Sequence, residues 1–518
     1  MSTPTGRISG ILLPLFSLRS RDDFGIGDFG AVDGLLQWMA AAKQKLLMVL
    51  PLLPTAPGDP SPYSTRSAFG LNSLFIDLKQ VPEFVEAGGM NSLSADEKRM
   101  LEEARKSHRI HYGQVFPLKG AALRRAFDRF EANHFTKNTD RAKAFEAWRQ
   151  SEGIWLDSFA LYTAISESQE RRAWWEWPEP LRDRKPEALN AERERLKREI
   201  LFHTFLQWIA HEQWNRVRES AKSRGVLLCG DEPFIIGQDS VDTWCNPTVL
   251  RRDARLGVPP DDFSATGQDW GLPYFDFQQM AKDDYSWLRF RAKKAASYYD
   301  LRRVDHAVGY FRQWIRDEKT PTGRFIPEGE AAHKETGRKN FEILGSDAAV
   351  VAEDLGVIPD FVREMLTQMN IPGYRVMRWE RDEAVYRDPR KYPVKSLVTT
   401  GTHDTETLAE WWEAEKDETR LGVAKVYPEL KELNPPQKSF TPRIHEALIS
   451  AALNSASELC VLPWQDVFGS RERVNLPGSM QDANWAYRID MPVEELLQRK
   501  DTKERAEWLG RLTAQSSR

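Results

Sequence analysis

Cysteine is scarce. Cys229, Cys245 and Cys460 are the three in 518 residues. They are odd in number and scattered, so they form neither a disulfide framework nor a metal-ligand spacing, and a reducing cytosol suits them best. Basic charge is not in excess either: 73 Lys and Arg stand against 77 Asp and Glu, a net charge of −4. That excludes the basic footprint of a nucleic-acid binder. The opening MSTPTGRISG carries no apolar signal core. The densest apolar run, LLMVLPLLP, is too short for a membrane span and holds two prolines. There is no G-x-S-x-G elbow, no phosphate loop ending in GK[ST] and no Cys or His cluster for a metal. HEQWN at His211 and HEALI at His445 each lack the second histidine of a zinc helix. GIGDFG (Gly25, Gly27, Gly30) matches a dinucleotide fingerprint by letter, but polar loop residues separate it from the preceding strand. It reads instead as a glycine-rich loop capped by Asp28.

What is present is a large soluble-type chain, too long for one simple core and therefore either several domains or a barrel with insertions. Tryptophan is abundant, at 18 residues. Core packing accounts for many of them, and stacking on sugar rings is the functional alternative. Short apolar runs recur along the chain, each a candidate strand: Ser9 to Phe16, Leu46 to Leu50, Val226 to Gly230, Leu301 to Val304, Ala349 to Ala352, Tyr374 to Trp379, Ser396 to Thr400, and Leu459 to Pro463. Eight is the strand count of a (β/α)₈ barrel. Helical spacing follows the first run (Val32, Leu35, Leu36, Met39, Ala40) and spans Asp360 to Met369. Residues 55 to about 225 lack alternating strands. Ser94-Ala-Asp-Glu97 is a capping box, and Ala121 to His134 and Ala191 to Arg224 read as helices. The expected division is a catalytic barrel from residues 1–54 and 226–518, with a mostly helical insertion, 55–225, between the second and third strands. No C-terminal β-domain is expected.

Six of the eight runs lead into polar or acidic residues. The most informative is LRRVDHAVGYF, where a strand ends on Asp305 with Arg303 and His306 beside it and a helix is expected next. Arg303 shares a strand face with Asp305 by the period of two and would keep it ionised and aimed. Two readings fit this stretch alone: a catalytic carboxylate at a barrel mouth, or a surface Asp capping a helix. Glu353 follows the fifth run and Asp404 the seventh, and in a barrel these ends face one cavity. Retaining glycosidic chemistry needs a carboxylate nucleophile and a carboxyl acid/base about 5–5.5 Å apart. A third carboxylate can oppose the charge at the anomeric carbon. Burial and the neighbouring Asp354 would raise the Glu353 pKa, as a general acid needs. His306 and His403 each adjoin one of these acids and offer ring nitrogens to sugar hydroxyls.

These residues resemble a known family, the 4-α-glucanotransferases or amylomaltases, relatives of the α-amylases. The resemblance runs nearly end to end. It rests on LLPLFSLRSRDDFGIGDFG, on VLPLLPTAPGDPSPYSTRSAFGLNSLFIDL, on GVPPDDFSATGQDWGLP, on RVDH, AEDLGV and GTHDTETL, and on the late NLPG and NWAYR runs. It implies a (β/α)₈ fold and transfer of an α-1,4-glucan segment to another glucan or to glucose, with no metal, no cofactor, no nucleic acid and no membrane involved. By resemblance Asp305 is the nucleophile, Glu353 the acid/base and Asp404 the transition-state carboxylate. Arg303, His306, His403 and Asp231 surround the bound glucose, with Asp354 behind them. Ser61 and Tyr63 match sugar contacts beside the cleavage point, Gln268 and Trp270 contacts from the loop after GVPPD, and Asn475 one from NLPG. That loop, Gly257 to Gly271, is expected to border the cleft, offering Phe263 and Trp270 as stacking faces. The chain departs from common members at Ala307-Val308 after RVDH, at Asp262-Phe263 after PPD and at Thr405-Glu406 after GTHD, all positions that bear on acceptor and chain-length preference. A retaining α-1,4-glucan hydrolase of the α-amylase type is the alternative enzyme. A non-catalytic sugar-binding barrel is a reading of another class, opposed by the presence of all three acids.

Overall fold

The computed structural model describes residues 6–260, 267–317, 323–383, 385–433 and 435–518. Its centre is a closed barrel of eight parallel strands: Ile8–Leu12, Leu46–Val49, Leu227–Glu232, Leu301–Val304, Ala349–Ala352, Gly373–Val376, Ser396–Thr399 and Leu459–Pro463. All eight fall on the apolar runs of the sequence. The first strand pairs with the second on one side and with the eighth on the other, Ile8 opposite Leu459, which closes the barrel. Strands buried on both faces must be apolar throughout, as AVVA and LLMV are. Each such Val or Leu side chain withdrawn from water contributes about 1.5–3 kcal/mol. The fourth strand, LRRV, breaks this rule with two arginines, and each is matched by a carboxylate of the third strand. Arg302 faces out to Glu232 at 2.8 Å, and Arg303 faces in to Asp231 at 2.7 Å.

Register places the chemistry. Val304 lies opposite both Glu232 and Ala352, so Asp305 and Glu353 leave adjacent strands at the same height. Backbone bonds continue past the strand ends, Glu353 N to Val304 O at 3.0 Å and Ala307 N to Glu353 O at 3.0 Å.

Between the second and third strands the chain runs through helices Ala95–Lys106, Tyr112–Phe130, Asp140–Glu152, Ile154–Ser168, Pro186–Arg195 and Lys197–Ser223. The capping box at Ser94 is formed in both directions. The helix expected over Ala191 to Arg224 is two, broken at Leu196, and the one expected over Ala121 to His134 starts earlier, at Tyr112. Asp28 caps its loop by accepting from Ala31 N at 3.0 Å. His211 bonds Gln207 O and the Tyr298 hydroxyl, and His445 bonds Asp466 O.

Two expectations need correction. The residues after Asp305 form one 3₁₀ turn, Ala307–Tyr310, and not a helix, after which Gln313–Arg316 is a strand. Gly309 permits this, because a Cβ there would lie 2.5 Å from the Phe234 ring. Second, Gly257 to Gly271 is not simply a loop. Leu250–Val258 and Gln268–Phe275 are paired antiparallel strands of a small sheet completed by Gln313–Arg316 and Gly323–Ile326. The charges of RRDAR hide that strand, since only Leu250, Ala254 and Leu256 in its first seven residues are fully buried. Phe263 lies outside the described residues.

After the eighth strand, the NWAYR run returns to the first barrel loop. Arg488 Nη2 meets Asp23 Oδ2 at 2.6 Å with both side chains at 0% exposure, and Nη1 donates to Ala104 O of the helical insertion. Removing one partner strands the other charge in the interior. Arg488→Met should therefore lower unfolding free energy by about 3–5 kcal/mol. Urea denaturation checks this, and a cost below about 1 kcal/mol would mean the pair is dispensable.

Candidate active site

Most of the residues singled out in the sequence converge at the carboxyl ends of the strands. The core of the site is a continuous hydrogen-bonded chain. Arg303 Nη1 donates to both oxygens of Asp231 (2.7 and 2.8 Å) and to Asp305 Oδ1 (2.9 Å). The Tyr63 hydroxyl donates to Asp231 Oδ2 at 2.9 Å and lies 2.9 Å from His403 Nε2. Its one proton is given to Asp231, so His403 must be the donor in the second contact. His403 Nε2 is also 3.3 Å from Asp404 Oδ2, and Asn475 Nδ2 donates to Asp404 Oδ1 at 2.6 Å. Residues from the second, third, fourth, seventh and eighth strand ends are thereby locked together. The Arg303 guanidinium also rests over the Tyr374 ring, 5.5 Å from its centre.

Exposure separates the acids. The side chains of Asp231 and Arg303 are shut in, at 0% and 7%. Asp305 is 27% exposed and Asp404 44%, so these two face the opening. Glu353 accepts His306 N at Oε2 (2.8 Å) and Leu355 N at Oε1 (3.0 Å), which aims it beside Asp305.

Electrostatics divides them further. Burial pushes the Glu353 carboxyl up to about 7; Arg303 opposes this, and the charge on Asp305 adds to it. The like charge is thus Asp305, not the expected Asp354. Asp354 turns the other way: it is buried, accepts Tyr374 N at 2.7 Å and pairs with Arg375 at 3.1 Å. The structure does not bring it to the cluster. For Asp404, burial would also raise the pKa, but His403, the bond from Asn475 and Arg303 outweigh it and hold the carboxyl far below its usual range. Burial disfavours a charge on His403, and contact with Asp404 reverses that, so its pKa is raised. Burial lowers His306 to about 4 against the pull of Asp305, leaving a neutral imidazole at pH 7.

The periphery is set by two loops. Thr55 and Thr65 bridge across the base of the SPY loop, where Ser61 Oγ accepts Tyr63 N at 3.3 Å. In the hairpin, Gln268 accepts from Trp270 Nε1 at 3.2 Å, and the Trp270 ring stands edge-on to His306 at 4.9 Å. Three neighbours escaped sequence reasoning: Tyr374 under Arg303, Trp485 against Tyr63 and His403, and Arg473, which donates to the Asp404 carbonyl at 3.0 Å. Trp485 sits in NWAYR, so the run was visible while its role was not. Among the described residues no group of three or more His, Cys, Asp or Glu is arranged to hold a metal ion. The arrangement offers one carboxyl that keeps its proton to about neutrality, one carboxylate beside a fixed cation, and one carboxylate held ionised.

Comparison with known proteins agrees with this geometry. The model of the 4-alpha-glucanotransferase family matches residues 13–493. A 4-alpha-glucanotransferase of Chlamydia pneumoniae is 31% identical over 504 residues, covering 94% of this chain and 92% of that protein. One of Synechocystis sp. is 33% identical over 501 residues, covering 93% and 94%. Among solved structures, an amylomaltase from Streptococcus agalactiae in complex with acarbose superposes with a TM-score of 0.84 at 26% identity, covering 99% of both chains. A closed barrel with three acids at one rim, matched over nearly its whole length by these relatives, belongs to the 4-α-glucanotransferase family.

Proposed function

We propose that this 4-α-glucanotransferase works by double displacement, with Asp305 as nucleophile, Glu353 as acid/base and Asp404 as the carboxylate that opposes positive charge at the anomeric carbon. The observation that carries this reading is the divergence of two carboxyls at one rim: Glu353 raised to about 7 and Asp404 held low. Such a split marks acid and charge-stabilising roles. In the first step Glu353 gives its proton to the glycosidic oxygen while Asp305 attacks C1, and the leaving glucan departs with that proton. In the second, the Glu353 carboxylate takes the proton from the 4-OH of an acceptor. That oxygen attacks C1, the ester to Asp305 breaks, and two inversions restore the α configuration.

The surrounding residues fall into two sets. Ser61, Tyr63, Gln268, Trp270, His306, His403 and Asn475 are exposed enough, or near enough to the acids, to touch sugar. Asp231 and Arg303 act from beneath, through Tyr63 and Asp305. Asp354 holds the chain after Glu353 against the sixth strand. Donors are α-1,4-glucans and acceptors are maltooligosaccharides or glucose. The same reading divides the chain into the barrel (1–54 and 226–518) and a helical subdomain (55–225). It assigns a cytoplasmic setting, supported by three free cysteines; among the described residues no helix is long and apolar enough to cross a membrane.

Product analysis tests the acceptor. Maltotriose alone should yield glucose together with a ladder of longer maltodextrins, and isotope-labelled glucose added to it should enter that ladder at the reducing end. Shorter sugars only, with no label incorporated, would favour the α-amylase-type hydrolase instead.

A further inference from the structure

Trp485 adopts φ +61°. A bulky residue in the left-handed region is strained, and such strain persists only where the surroundings enforce it. Here they do. Trp485 N donates to Val474 O at 2.8 Å, and its carbonyl accepts from the Tyr112 hydroxyl of the helical insertion at 2.9 Å. The preceding Asn484 accepts Leu476 N at 3.0 Å, so the same turn fixes the segment carrying Asn475. The twisted backbone sends a nearly buried indole, 8% exposed, against two site residues. Its ring is 5.7 Å from Tyr63 and 5.8 Å from His403, which are themselves stacked at 5.4 Å and 26°. Three aromatic rings thus form one packed triangle.

From this geometry we infer that Trp485 is a positioning residue for the reaction: its ring clamps Tyr63 and His403 together so that the imidazole stays on Asp404. The inference rests on the assignment of Asp404 given above. Without the ring, His403 is free to swing about its side-chain bonds. Its Nε2 then no longer serves the hydroxyl of Tyr63 and the carboxylate of Asp404 at once. The other charged and titratable groups acting on this pair are Arg303, Asp231 and Asp305, and Arg473 donates to the Asp404 carbonyl. Losing His403 removes the foremost influence that keeps Asp404 ionised. The acid limb of the pH profile then moves upward.

Glycine accepts φ +61° without strain, so Trp485→Gly deletes the ring while keeping the turn. The measurement is kcat/KM on maltotriose against pH, well below each variant's melting temperature. Trp485→Gly should lose about 10- to 100-fold, with its acid limb displaced upward, and Trp485→Phe, which keeps a ring in the triangle, should recover most of the rate and the wild-type limb. Trp485→Leu, read through the NMR titration of the His403 imidazole, reports the same displacement if the glycine variant does not fold: the His403 pKa should fall. A folded ring-deleted variant with an unmoved limb or an unmoved His403 titration, or a Phe variant as impaired as Gly, overturns the role of Trp485. Asp404→Asn run alongside separates the claims. Normal turnover by that variant overturns the Asp404 assignment and this inference with it. A crippled Asp404→Asn beside an unmoved Trp485→Gly limb overturns only the clamp.

Discussion

Asp305→Ala should be nearly inactive on every donor, a loss of roughly 10⁴-fold or more in kcat. The breadth of that loss is the informative part. A nucleophile is needed whatever the leaving group, so an activated donor such as α-glucosyl fluoride should not rescue the variant. The fold should survive the change. Asp305 is partly open to solvent, and Arg303 keeps both of its bonds to Asp231 when Asp305 is removed. The buried cation therefore stays paired, and the melting temperature should barely move. Steady-state rates on maltotriose and on the fluoride, with a melting curve as control, check this. Activity on the fluoride within about 100-fold of wild type in a folded variant would remove Asp305 from the nucleophile's role.

Glu353→Ala should show the opposite pattern, a dependence on the leaving group. On maltodextrins it should lose about 10²- to 10⁴-fold, the usual worth of positioned proton transfer. Fluoride leaves without a proton, so the first step should survive while the second, lacking its base, stalls. A covalent glycosyl-enzyme should accumulate, and mass spectrometry of peptides should find the sugar on Asp305. The wild-type pH profile is a companion result. Burial raises the Glu353 carboxyl to about 7, and a general acid works only while protonated. Its kcat/KM on maltotriose should therefore fall as pH rises through about 7, and glycosylation of Glu353→Ala by the fluoride should lack that limb. A sugar on any other residue, or ordinary maltodextrin turnover by this variant, would overturn the assignment.

The barrel was legible because most of its strands are short apolar runs, six of the eight runs leading into polar or acidic residues; LRRV is the exception in composition, its two arginines answered by Glu232 and Asp231. The three acids were legible because each follows such a run within a few residues. What lay outside the sequence was direction. Glu353 and Asp354 are neighbours in the chain, yet the pleat turns one toward Asp305 and the other toward Arg375. Local spacing made Asp354 the natural like charge, whereas the register of the fourth and fifth strands supplies Asp305 instead. The small antiparallel sheet was hidden for another reason. Its longest strand carries Arg251, Arg252, Asp253 and Arg255, and the Arg252 guanidinium lies over the Trp174 and Trp175 rings, so the alternation is lost among charges. Tyr374 and Trp485 reach the site from chain segments far away, and no periodicity reports such contacts.

Closure of the barrel has a consequence for how the chain is made. The strand Ile8–Leu12 leaves the ribosome some 450 residues before Leu459–Pro463, so one of its two edges waits that long for its partner. The Arg518 side chain then adds bonds to Ile8 O and Glu458 O across that seam. Contacts of such long sequence separation form slowly, and throughout the wait an apolar strand edge stands open to pairing with other chains. During synthesis, then, the vulnerable part is the open edge of that strand, and protection by chaperones matters most for a nascent chain that already carries the helices between the second and third strands and still lacks Leu459–Pro463.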